Sequence, residues 1–392
     1  MFNPNLTTRT LLFVLCLTLF GASAVLGVDY TWTGGGADNN WTTSANWGVG
    51  SGYPGSAATN DTATINVADT VDVDAAIPNP IDALDIGAAV TLQMTNSLSV
   101  TTGAATFTIN TANNVTVNGA STLTVGTLDL QNTGTFTFDA PLTATSITTA
   151  ATAHTVSFHN TTNVTNAVTF NGSGTLTLGN GGDTLTFQGG LTATAGPKSM
   201  AGSVLTNGSA VDFSTTTTTL NNTSTVNTTN GGFTAGANID LAAVTGAQAF
   251  TVNAGTGGTV TTTGILGETN DLASLDLDAG GITQGAAIEA SGLIDIDVTG
   301  SFNTGAAITA SAGQVQITTT GALTVDQNVT GATGVLAETT GNDTTLTQSA
   351  GTIDGTDVTL ELRGDKMALS GGSIGNAATD IVLLRPANLA DA

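Results

Sequence analysis

The side chains that could do chemistry in this 392-residue chain are few: two histidines, five lysines and arginines, and 29 carboxylates. An enzyme acting on polysaccharide needs clustered carboxylates, with a basic group to take up or stabilise charge. His154 and His159 stand five apart in a strand-like run, so they point to opposite faces and share no local site. Lys198 follows Pro197 in a segment that reads as a loop, while Arg363 and Lys366 flank Asp365. A solvated surface role is expected for all of these. Aspartates recur at two-residue spacing in Asp72-Val73-Asp74, Asp276-Leu277-Asp278 and Asp295-Ile296-Asp297, each pair sharing an outward face with the oxygen ligands that calcium prefers. Adjacent coils could align two such pairs. Carboxylates that keep an acidic rod soluble are the simpler reading. Gly179-Asn180-Gly181-Gly182-Asp183-Thr184-Leu185 matches part of the calcium-binding nonapeptide, but it stands alone, and those sites are formed by consecutive repeats. No catalytic, cofactor-binding or metal-binding residue is assigned.

The elements that would position these groups are short strands. Thr106-Phe107-Thr108-Ile109, Thr135-Phe136-Thr137-Phe138 and Thr175-Leu176-Thr177-Leu178 alternate with period two, giving one wet and one dry face. Asn118-Gly119, Asn171-Gly172 and Asn207-Gly208 supply turn residues that tolerate positive φ. Threonine and valine are stiff at χ1 and favour the pleated strand. Three apolar columns recur in the last third: Ile288, Ile308, Val329, Ile353, Ile374; Phe302, Leu323, Leu346, Leu369; and Leu293, Val315, Val335, Val358. Their period of about 20 to 24 residues predicts a parallel β-solenoid with three short strands per coil. At about 21 residues each, roughly 14 coils would make a rod about 65 Å long. Ile294, Ile296, Val298, Leu360 and Leu362 are expected inside, with Asp295 and Asp297 outside. The Thr-x-Thr pairs that begin at Thr106, Thr122, Thr135, Thr143, Thr175, Thr184 and Thr192 have unequal gaps, which argues against a flat ladder able to order ice.

Residues 1–24 read as a secretory signal, with Arg9 in the polar start, an apolar run from Leu11 to Phe20 and an Ala22-Ser23-Ala24 exit. The apolar run is too short for a permanent membrane span, which needs about 20 residues. Cys16, the single cysteine, would leave with the signal, so no disulfide could hold the mature chain. The net charge of -24 excludes nucleic acid, since Lys198 is the only cation between Asp29 and Leu362 and cannot neutralise a run of phosphates. The remaining chain divides into a Trp-rich cap over 25–60, a looser Thr-rich solenoid over 61–249 and a more regular one over 250–392 whose carboxyl end lacks a cap. Open strand edges there make end-to-end self-association an expected liability.

The stretch from Tyr30 to Asn66 holds Trp32, Trp41 and Trp47, then Pro54-Gly55 and Asn60-Asp61-Thr62-Ala63-Thr64-Ile65-Asn66. It resembles the opening of bacterial surface proteins built from autotransporter-associated β-strand repeats. From Leu275 onward, Asp278-Ala279-Gly280-Gly281-Ile282-Thr283-Gln284 and the later Gly-Ala-Ala-Ile arms look like repeats of filamentous haemagglutinin-type exoproteins. That resemblance implies an all-β, right-handed parallel β-helix, outside the cell or on its surface, acting as a structural or adhesive module without catalysis or cofactor. Glycans or a cell surface are the partners it implies. A β-helical polysaccharide lyase or hydrolase is the alternative, and a passive spacer the plainest reading. His154 or Lys198 within reach of two carboxylates would favour the enzyme.

Overall fold

The computed structural model describes residues 27–57, 60–102, 105–355, 358–375 and 380–387. The signal assigned to residues 1–24 therefore lies outside the described residues. The chain winds into a β-solenoid of about 15 turns, with about 21 residues per turn and about 2 % helix. Strands of successive turns pair in parallel, residue over residue, along the whole stack. The alternation explains why: Phe107, Ile109, Phe136 and Phe138 are buried in one continuous interior, while the threonines between them face outward.

The first apolar column stacks as the spacing predicts, Ile288 on Ile308, then Val329, Ile353 and Ile374. The other two depart at their ends. Met367, not Leu369, sits over Leu346, and Ile294 and Leu360 take the places expected of Leu293 and Val358. Leu293 is 40 % exposed. In each case an apolar neighbour one or two positions away competes for the rung, and spacing alone does not rank them. Ile294, Ile296, Val298, Leu360 and Leu362 are buried as expected, whereas Asp297 is exposed and Asp295 partly so.

Upstream, several strands run on around a corner, as in Leu123–Gln131 and Leu176–Phe187, and join two faces into one sheet. The long strand Leu176–Phe187 contains the glycine motif. Its register slips between Leu178 and Asp183, Gly179, Gly181 and Gly182 all have positive φ, and the Asn180 amide donates to the Asp183 carboxylate at 2.8 Å. The partial nonapeptide is thus a bulge whose aspartate closes its own turn.

The amino-terminal end is closed by the tryptophans. Asp29–Thr31 pairs with Thr62–Ile65, and its other edge is covered by Thr33 N–H donating to the Asn46 carbonyl and Gly48 N–H to that of Thr31. Trp47 packs edge-on against Trp32 and Trp41, with ring centroids 5.0 and 4.8 Å apart. Each indole finds an acceptor: Trp32 the Asp69 carboxylate, Trp41 the Pro54 carbonyl and Trp47 the Trp41 carbonyl. Asp74 accepts from both the backbone and the hydroxyl of Thr42, which fixes the cap to the first turns.

Candidate functional site

Two of the predicted aspartate pairs are brought together. Ser274–Ala279 and Ile294–Val298 stack so that Asp276 lies over Asp295 and Asp278 over Asp297. Parallel strands place such neighbours about 4.8 Å apart. Partial burial raises the pKa of Asp276, Asp278 and Asp295, and neighbouring carboxylates add to it, Asp297 for Asp276 and Asp295 and Asp276 first for Asp278. A raised carboxyl pKa means the folded state holds protons that the unfolded chain gives up. Asp276, Asp278 and Asp295 therefore favour the fold at low pH, and that contribution is lost as pH rises above the ordinary carboxylate range. Asp295→Asn should raise the thermal unfolding midpoint at pH 7 and leave it unchanged at pH 3; an equal shift at both would show that charge is not the cause. Among the described residues no group of three or more His, Cys, Asp or Glu has the geometry to hold a metal ion.

Asp278 and Asp297 also line a groove of about 480 Å³ with Asn253, Thr256, Thr299 and Thr320. Asn253 donates to Asp278 at 3.1 Å. The threonines come from the turns that follow the strands, and their hydroxyls bond down the stack, Thr299 to the Ala279 carbonyl and Thr320 to that of Thr299. The lining residues include no cation and no aromatic ring. Hydroxyls, an amide and two carboxylates can hydrogen-bond a polyol, and Asp278, whose pKa burial raises, can hold a proton for it. Sequence reading missed these threonines. Their signal was the Thr-Gly dipeptide at Thr256-Gly257, Thr299-Gly300 and Thr320-Gly321.

The basic residues lie elsewhere. Lys198 opens the strand Lys198–Leu205 and is 1 % exposed, between Leu176 below and Thr218 above, so the expectation of a solvated loop residue is corrected. Pro197 does end the preceding turn, but the lysine that follows has inward parity. Its ammonium donates to Thr216 at 2.5 Å and stands 5.7 Å from the Phe213 ring centroid. Burial pulls its pKa down from 10.5 to about 8, with Asp212 opposing. His154 is likewise interior, stacked on Phe136 with Nδ1 2.9 Å from Thr152, and burial lowers its pKa. His159 pairs with one carboxylate, Asp139, at 2.9 Å. Arg363 bridges Glu338 and Glu361 at 3.2 and 3.0 Å, and Arg385 continues to Glu361, an outer ladder tying the last turns together. Among the described residues, neither His154 nor Lys198 forms a hydrogen bond or ion pair with a carboxylate.

The buried lysine makes a testable prediction. Between pH 8 and 10.5 the unfolded chain holds a proton that the folded chain lacks, so stability rises with pH across that window. Lys198→Met should stabilise the protein at pH 7 by on the order of 3 kcal/mol and remove that rise. Denaturant titrations at pH 7 and 10 read both effects, and a destabilised Met variant would show that the ammonium is satisfied in place.

A hydroxyl ladder occupies another face. Thr70, Thr91, Thr116, Thr137, Ser157, Thr177, Ser199, Thr219 and Thr245 stack in register over nine turns. The unequal gaps between Thr-x-Thr pairs had argued against any such ladder. Those pairs belong to different faces: Thr137 and Thr177 lie in this column, whereas Thr124 stacks on Thr143 in another. Turns of different length absorb the rest.

Compared with known proteins, the chain matches no family model, no curated protein and no solved structure.

Proposed function

We propose that the protein is an exported structural or adhesive rod that presents ordered polar faces to a glycan or a cell surface. The observation that carries this reading is the nine-rung hydroxyl ladder, in which Ser157 and the Thr245 hydroxyl are buried and the other rungs reach the surface. Its eight intervals of about 4.8 Å extend about 38 Å, and a rigid stack holds each hydroxyl at a fixed spacing. Weak contacts repeated at that spacing add through multivalency, with each site contributing little. The export signal and the Trp-rich opening, which resembles that of bacterial surface proteins, support the location. Adhesion of cells with and without the gene, after fractionation establishes where the protein resides, tests the proposal. Cytoplasmic retention overturns it, and surface location with unchanged adhesion reduces the protein to a spacer.

The carboxylate pair in the groove favours a second reading, a β-helical enzyme acting on polysaccharide. Asp278 and Asp297 would then share acid and base roles. Incubation with a panel of plant, algal and bacterial polysaccharides should release no oligosaccharide if the adhesive reading holds. Release abolished by Asp297→Asn would establish the enzyme instead.

A further inference from the structure

The groove that holds Asp278 and Asp297 runs along the rod axis, since its walls come from five successive turns, from Thr229 and Thr234 to Thr318 and Thr320. Four intervals of about 4.8 Å make it about 19 Å long. Its volume of about 480 Å³ is that of a small-ligand site. Just outside the lining, between Thr229 and Thr234, stands Phe233, which is 50 % exposed and whose ring lies over Gly208 of the turn before. A Cβ at Gly208 would come within 3.0 Å of that ring, so the glycine leaves room for it. The Thr228 hydroxyl pins the base of the segment, accepting from the Ala237 N–H and donating to its carbonyl. The Thr256 and Gly257 N–H groups tie it to the next turn through the Thr234 and Ala235 carbonyls. An aromatic ring is thus held half open at one end of the groove.

We infer that this groove binds a linear glycan carrying free amino groups, a glucosamine polymer, with Phe233 as the stacking platform at one end. Charge selects the occupant. The walls carry two carboxylates, and the sequence has no Lys, Arg or His from Ser199 to Leu362, so an ammonium group finds partners here and a uronate or sulfated sugar finds none. Asp278 stacks on Asp297, and an ammonium between them offsets the repulsion of the two carboxylates. The rest of the lining suits a sugar. Threonine hydroxyls and the Asn253 amide meet its hydroxyls, while Ala279, Val298 and the Phe233 ring offer apolar surface to its C–H faces. A basic peptide fits less well, because the strands beneath the groove are paired on both edges and leave no backbone for an added strand. The inference deepens the adhesive reading and rests on a glycan as the partner. The groove is built on other strands than the hydroxyl ladder, so the two can fail separately.

Isothermal titration calorimetry of the purified full chain at pH 6 tests it with three probes: a chitosan hexamer, its fully N-acetylated counterpart and a galacturonate hexamer. The chitosan hexamer should bind about tenfold tighter than the acetylated one, the size of one charge-assisted contact, and should weaken as salt rises. The galacturonate should not bind. Asp278→Asn combined with Asp297→Asn should abolish the preference for the free amine, and Phe233→Ala should weaken the chitosan hexamer about threefold. Thr219→Val on the ladder should change nothing. Comparing the probes on the unaltered protein keeps the test decisive if a variant fails to fold. Cells that do not adhere, although the purified protein binds the chitosan hexamer, would overturn the adhesive reading alone. Equal affinity for the acetylated hexamer, no binding of the chitosan hexamer at about 1 mM, or equally tight binding of a hexalysine peptide overturns the inference.

Discussion

Ile296→Asp is expected to destabilise the rod by about 4 kcal/mol or more, because an unpaired carboxylate would enter a dry stack. Ile296 is fully buried, with Leu277 directly below and Ile317 directly above. Neither neighbour can hydrogen-bond the new group, so the site must admit water, protonate the aspartate or open the coil. A neutralising substitution one position on, Asp297→Asn, faces the groove and relieves carboxylate repulsion, so it should not destabilise the rod. Chemical unfolding followed by circular dichroism distinguishes the two, and equal effects would contradict the register. Solenoid stability is close to a sum of local and nearest-neighbour contributions. The damage should therefore centre on the turns around Leu277 and Ile317, where amide exchange should rise most.

Trp47→Ala should cost about 3 to 5 kcal/mol in the cap, in the range for truncating a buried aromatic. Trp47 touches Tyr30, Trp32 and Trp41 edge-on, and its indole N–H reaches the Trp41 carbonyl at 2.7 Å. Removing it empties the centre of the cluster and orphans that carbonyl. All three tryptophans of the chain lie in this segment, so the fluorescence of the remaining two reports the cap while far-ultraviolet circular dichroism reports the strands. In the variant the fluorescence midpoint should fall well below the circular dichroism midpoint. A common midpoint lowered together would show that cap and rod unfold as one cooperative unit.

Strand character and the period were legible in the sequence because both are local. Alternating Thr and apolar residues specify which side of a strand is dry, and a recurrence near 21 residues specifies one turn of a stack. These suffice to place Ile294, Ile296 and Val298 inside. The same locality sets the limit. At Leu293 and Ile294, or Met367 and Leu369, two apolar residues compete for one rung, and the choice is made by the turn above and below. Lys198 was misread for a related reason, since its chemistry argues for solvent whereas its parity in the strand directs it inward.

The sequence by itself determined a strongly acidic, all-β repeat chain, with a tryptophan cluster near its head and paired aspartates on wet faces. Only the tertiary structure decided which pairs meet. Asp276 and Asp278 stack on Asp295 and Asp297 because the intervening turn contains the right number of residues to close one coil. Asp72 and Asp74 lie far down the stack, bound up with the cap. The hydroxyl ladder depends on the same closure: residues 20 to 26 apart in the chain become direct neighbours when turns of different length return the strands to a common register. Alternation fixes the face of a residue within its own strand, but the residue that lies above it is fixed by the path of the chain around the coil.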